Sequence, residues 1–146
     1  MKAEQVTPIE MSHQGYRSLV VWQEARQLAI RVYLLTRKDS FSRDWALTDR
    51  LRRSALSVPS NIAEGDERES DRDSVRFFHI AKGSLAELAT QLDIASEVGC
   101  LPKAEAELLL TTCNEPGRKL GALVKARSRR FQCGTAVNRF DEAPLA

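Results

Sequence analysis

From Ser18 onward, apolar residues return at alternating steps of three and four. Val21, Ala25, Leu28, Val32 and Leu35 form one such row, the spacing of a helical seam packed on other helices. It predicts a first helix from Ser18, as N-cap, to Lys38. After a turn at Ser40 to Asp44, the residues Leu47, Leu51, Ala55, Val58 and Ile62 give a second helix that ends at Gly65, read as the residue just past its C-terminus. Pro59 lies inside this row. It removes one N–H bond and crowds the carbonyl of Ala55, so the helix is expected to kink near Ser57 or to split into two short helices. Ser70 followed by Asp73 has the form of a capping box. It opens a third helix, Asp71 to Val98, with Phe78, Ala81, Leu85, Leu88, Leu92 and Ala95 on its seam and Gly99 closing it. Gly83 inside this helix costs about 1 kcal/mol relative to alanine and is assigned to a close helix contact. Pro102 starts a fourth helix with Leu109, Cys113, Leu120 and Leu123 on its seam. It runs to about Ala126, with a bend at Pro116–Gly117.

Four long helices with short links imply antiparallel neighbours, and no stretch alternates as a strand does. The expected fold is all-α, an up-down-up-down four-helix bundle over residues 16–126. Residues 1–15 read as a disordered leader, within which Met11 is a candidate natural start, and 127–146 as a basic, poorly ordered tail. Some large apolar residues do not fit the seams. Trp22, Ile30, Tyr33 and Leu34 on the first helix, and Phe77 and Ile80 on the third, lie beside them or on the far side. Either the core is thick enough to take them, or they form an interface that makes the protein a homo-oligomer.

Length and composition narrow the class. A chain of 146 residues with 42% hydrophobic and 29% charged positions favours one domain with a core that needs no staples. Its apolar runs stop at four residues, as in Leu19 to Trp22, whereas a membrane span needs about 20. Cys100, Cys113 and Cys133 match neither a disulfide framework nor paired zinc ligands. With no apolar signal segment at the start, these features point to a cytoplasmic protein without membrane partners.

The net charge of +2 is small but unevenly spread. Arg26 to Arg53 holds eight basic residues against three acids, Glu64 to Arg76 holds six acids against three arginines, and Gly117 to Arg130 holds six basic residues and no acid. Arg50, Arg52 and Arg53, with Arg118, Lys119 and Lys125, are therefore the candidates for contacts to a nucleic-acid backbone. A solvated, salt-bridged helix face is the other reading of them. Arg52 and Asn61 are also candidates for purely structural roles. Aromatic residues are sparse near these arginines, so stacking on single-stranded bases is not expected.

Enzyme chemistry is not indicated. A di-iron bundle needs Glu-x-x-His on two helices, but Arg76 occupies that offset before His79 and His13 lies in the leader. The glycines show no phosphate-loop spacing, and Glu64 and Glu87 have nothing to bring them together. No cofactor, metal or catalytic group is expected.

At the second helix the sequence becomes specific: Leu51, Arg52, Arg53, Ser54, Ala55 and Leu56, then SVPSNIAEG from Ser57 to Gly65. This string resembles the signature of the four-helix-bundle proteins encoded in intervening sequences of bacterial large-subunit ribosomal RNA genes. Leu19, Val21, Trp22 and Ala25 are similar to the family's first helix. Phe77, Ile80, Ala81, Gly83, Ser84, Leu85, Glu87, Leu88, Gln91 and Leu92 are similar to its third. The resemblance spans roughly Tyr16 to Ala126 and implies an up-down-up-down bundle and a homopentameric ring. The family is similar to the accessory variability determinant proteins of diversity-generating retroelements, basic pentamers that bind nucleic acid and a reverse transcriptase. The function so expected is a non-enzymatic, oligomeric protein that binds structured RNA through basic helix faces. The alternative is a scaffold that offers its acidic segment, Glu64 to Asp73, to a protein partner. The leader, the tail and Pro116 depart from the family pattern.

Overall fold

The structure, a computed structural model, describes residues 15–138, with side chains through Cys133. The leader up to Gln14, Met11 included, and the last residues of the tail lie outside the described part. A short 3-10 turn at Gly15–Ser18 leads into helix α1, Val20–Leu35, and a second 3-10 turn at Asp39–Phe41 leads into α2, Trp45–Asp66. Helices α3, Asp71–Glu97, and α4, Lys103–Asn138, complete the chain. Each helix packs on its neighbours in chain order, and α4 closes the ring against α1. Among the described residues the backbones of α1 and α3, and of α2 and α4, do not approach one another, so these pairs stand diagonally. With links this short, the arrangement is the antiparallel bundle that the seams predict.

The seams are the core. Every seam residue of α1, and Leu51, Ala55, Val58 and Ile62 of α2, is buried, as are Phe78 to Ala95 at the predicted positions of α3. Each large aliphatic or aromatic side chain removed from water in this way contributes about 1.5–3 kcal/mol. Phe41 adds a plug that periodicity did not show, because it sits in the 3-10 turn between α1 and α2 and is fully buried there.

The helix ends differ from expectation in instructive ways. Ser18 does not cap α1. Its Oγ donates to the Gly15 carbonyl at 2.8 Å and completes the 3-10 turn, leaving Leu19 at the cap position. The helix stops at Leu35 rather than Lys38, where Thr36 turns its hydroxyl back onto the Val32 carbonyl. Asp44 caps α2 by accepting from the Leu47 N–H at 3.0 Å, and α2 continues through Pro59 without breaking. Ser70 caps α3 as expected, accepting from the Asp73 N–H at 3.2 Å. Gly99 follows α3 with φ +84, a left-handed conformation that glycine adopts freely.

Two glycines exchange roles. Gly65 is inside α2, not past its end, and a Cβ there would lie 2.6 Å from Phe78 Cε1. It is the residue that lets α2 approach α3. Gly83, to which a close contact was assigned, has nothing within 4 Å of a Cβ position. Helix α4 runs through the fully buried Pro116 and on to Asn138, instead of giving way to a disordered tail at Arg127. Arg127 itself supplies the reason. Its guanidinium donates to Asp66 at 3.1 Å and to Asp71 at 3.0 Å, with all three side chains largely buried, and so fastens α4 to the α2–α3 link.

Candidate nucleic-acid interface

The three arginines of α2 do not share one fate. Successive residues on a helix turn by about 100°, so Arg52 points toward α1 while Arg50 and Arg53 face away from the core. The Arg52 Nε donates to Thr36 Oγ1 at 2.8 Å, and its guanidinium lies 5.0 Å from the Tyr33 ring centre. It is a half-buried tie between α1 and α2. Arg50 and Arg53 are exposed, and Arg53 lies 3.8 Å from Asp49. Asn61 is likewise engaged within α2, donating to the Ser57 carbonyl at 2.8 Å.

Arg50 and Arg53 border a cup of about 410 Å³ formed with Trp45, Ala46, Asp49 and Glu87 of α3. Trp45 is 77% exposed, the largest such value among the exposed large hydrophobic residues. Spacing along the chain does not single it out, and it is one exposed aromatic ring beside the two arginines. The available signal was its place right after the Asp44 cap and off the Leu47–Leu51 seam.

On α4 the basic run is matched by acids from elsewhere. Arg118 donates to Glu115 at 2.8 Å, and this bond holds the exposed Glu115 carboxyl below its ordinary pKa and raises that of Arg118. Lys119 pairs with Glu24 of α1, whose other oxygen, Oε2, is buried without a hydrogen-bond partner. Lys125 is exposed. Because α2 and α4 stand diagonally, the chain does not merge these residues with Arg50 and Arg53 into a single face. Half of the acidic segment is similarly engaged: Glu64 pairs with Arg68, and Asp66 and Asp71 hold Arg127.

The surplus apolar residues divide too. Trp22, Ile30, Tyr33 and Leu34 line a groove of about 610 Å³ between α1 and α2, with Leu56 and Pro59 on its other wall and Arg26 and Arg37 also lining it. Phe77 and Ile80 are elsewhere, on α3. Phe77 is half-buried, with the Arg68 guanidinium 4.4 Å from its ring centre, and Ile80 is exposed.

Among the described residues, no cluster of three or more His, Cys, Asp or Glu side chains could hold a metal ion. No helix there is long and apolar enough to cross a membrane. His79 is exposed on α3, and Glu64 and Glu87 have different partners, Arg68 and Gln91. Burial pushes the Cys113 thiol up to about 11, well away from a reactive thiolate.

Fold and surface together define an all-α bundle protein with an aromatic and arginine cup on one side and an apolar groove on another. Residues 17–122 match the family described as 23S rRNA-intervening sequence protein, and the chain belongs to that family. A solved structure from Bacteroides thetaiotaomicron, a protein with unknown function from the S23 ribosomal protein family, is similar to this chain with a TM-score of 0.67. The two are 19% identical over 73% of this chain and 99% of that one, a likeness of fold. No match was found among curated proteins.

Proposed function

We propose that this protein is a non-enzymatic cytoplasmic RNA-binding bundle that contacts phosphates of structured RNA through Arg50 and Arg53. The observation that supports it is the exposure of these two arginines beside Trp45, where the 3.8 Å surface pair of Arg53 with Asp49 on the same helix leaves both guanidinium groups open to solvent. Lys125 and Arg118 form a second, weaker patch, since Arg118 already has Glu115 as partner. Lys119 and Arg52 drop out as phosphate contacts because each binds another helix. The family's description in terms of ribosomal RNA genes is in keeping with this reading.

Binding to a structured ribosomal RNA fragment, measured at several salt concentrations, tests it. Each phosphate neutralised contributes a slope of about −0.7 to −0.9 in log affinity against log salt. Replacing Arg50 and Arg53 by alanine is expected to flatten the slope by about 1.4 to 1.8. An unchanged slope would remove them from the interface.

A second reading, self-association, is favoured by the α1–α2 groove. Its lining includes the exposed side chains of Ile30, Leu34 and Leu56, and exposed apolar patches of this kind mark interfaces. A homo-oligomer, with a pentamer as the family resemblance implies, would cover Trp22, Ile30, Tyr33 and Leu34. Sedimentation of the Leu34→Asp variant tests this, and a mass equal to that of the parent would refute it.

A further inference from the structure

We infer that the cup at the start of α2 binds an unpaired RNA base, stacked on Trp45 and selected for an exocyclic amino group by Glu87. The inference rests on the RNA-binding reading and assigns that site its ligand.

The cup has the parts such a site needs. An exposed indole offers a flat, sequence-tolerant stacking surface. Ala46, one residue along, is small enough to leave space beside the ring, and Arg50 and Arg53 stand at the cup for the nucleotide's phosphates. Asp49 and Glu87 balance the two arginines in charge, so the cup does not suit a bare anion. It suits a ligand that is neutral at one end and anionic at the other, as an unstacked nucleotide is.

Glu87 is held in place by a relay. Ser54 donates to Gln91 Oε1 at 2.6 Å, and Gln91 Nε2 donates to Glu87 Oε1 at 3.1 Å. Ser54 and Gln91 are both buried between α2 and α3, so the carboxylate is oriented from the core. A carboxylate only accepts hydrogen bonds. It can accept from the exocyclic amino groups of cytosine, adenine or guanine, whereas uracil offers only a ring N3–H flanked by two carbonyl oxygens that repel a carboxylate. Single-stranded loops, with bases free to splay onto aromatic side chains, are the RNA elements that fit, and a continuous duplex is not.

The test uses the full chain and two hairpins with one common stem, one closed by a cytidine loop and one by a uridine loop, beside the blunt duplex of that stem. A Trp22→Phe background leaves Trp45 as the reporting indole. The cytidine loop is expected to quench Trp45 fluorescence and to bind more tightly than the uridine loop, and Glu87→Gln to abolish that preference. Trp45→Ala is expected to weaken binding of the cytidine hairpin roughly ten-fold or more and to leave duplex binding unchanged. Since Trp45 is an exposed residue, this variant should keep the helical circular dichroism of the parent. If the hairpins bind with the Arg50 and Arg53 salt dependence, but without quenching or any loss in Trp45→Ala, the cup is not a base site and the phosphate reading stands. If neither hairpin nor duplex binds at low salt, both fall.

Discussion

Replacing Gly65 with alanine adds one methyl group where α2 packs tightly on Phe77 and Phe78 of α3. The new Cβ would lie 2.6 Å from Phe78 Cε1, 2.9 Å from Cδ1 and 3.1 Å from the Phe77 Cβ. Phe78 is fully buried, so its ring cannot swing into solvent and must press on the core. Overpacking of this kind costs about 1–3 kcal/mol. Gly65 has no positive φ, so alanine fits the backbone and returns about 0.5–1 kcal/mol of helix propensity. The net expectation is a loss of about 0.5–2 kcal/mol, or several degrees in Tm at this chain length. Gly83→Ala is the matched control. It gains the same propensity and meets nothing within 4 Å, so it should stabilise by up to about 1 kcal/mol. Urea denaturation followed by circular dichroism reads both. A Gly65→Ala protein as stable as the parent would falsify the claim that this glycine sets the spacing of α2 and α3.

Other perturbations follow from single contacts. Arg127→Met breaks the clasp on Asp66 and Asp71, and a loss of about 1.5–3 kcal/mol is expected in the same assay; an undiminished midpoint would mean that the helix end is held by other contacts. Arg52→Ala should lower stability through the lost Thr36 and Tyr33 contacts while leaving the salt slope of RNA binding unaltered, the reverse of Arg53→Ala. Because the folded protein keeps the Cys113 proton up to about pH 11, its contribution to stability is complete below the ordinary thiol value near 9 and is lost as pH rises from there to about 11. Cys113→Ser or →Ala should flatten that part of the stability profile. At neutral pH, iodoacetamide should modify exposed Cys133 and spare Cys113 in the native state, which intact mass after proteolysis can locate.

The bundle was legible because its helices are amphipathic at a constant period, and the seam residues named from spacing are buried except Leu47 and Leu123, which are partly buried at the ends of their seams. What escaped was information carried between helices. The basic run on α4 has no acid within it, yet Glu24, Asp66 and Asp71 reach it from three other parts of the chain. Arg52 sits between two exposed arginines in sequence and is turned from Arg53 by about 100° and from Arg50 by about 160° round the helix. Gly65 and Gly83 look alike in a string of letters, and only the distance to a neighbouring helix tells a packing glycine from an unconstrained one. Trp45 was passed over because a residue off the seam is conspicuous only once the arginines beside it are located.

The ring of helices closes on a seam unlike the others. Where α2 meets α3, contacts are extensive and close in sequence; where α1 meets α4 they are fewer, and the polar ties Lys38–Glu105, Arg31–Thr112 and Lys119–Glu24 join residues distant along the chain. Bringing such residues together costs more loop-closure entropy and returns less buried apolar surface. The nucleus for folding is therefore expected in the α2–α3 hairpin, with φ-values near zero at Glu24 and Lys119. The same ordering applies to fluctuations of the native state, in which α1 and α4 should part before α2 and α3 do, so that amide exchange is fastest along that seam.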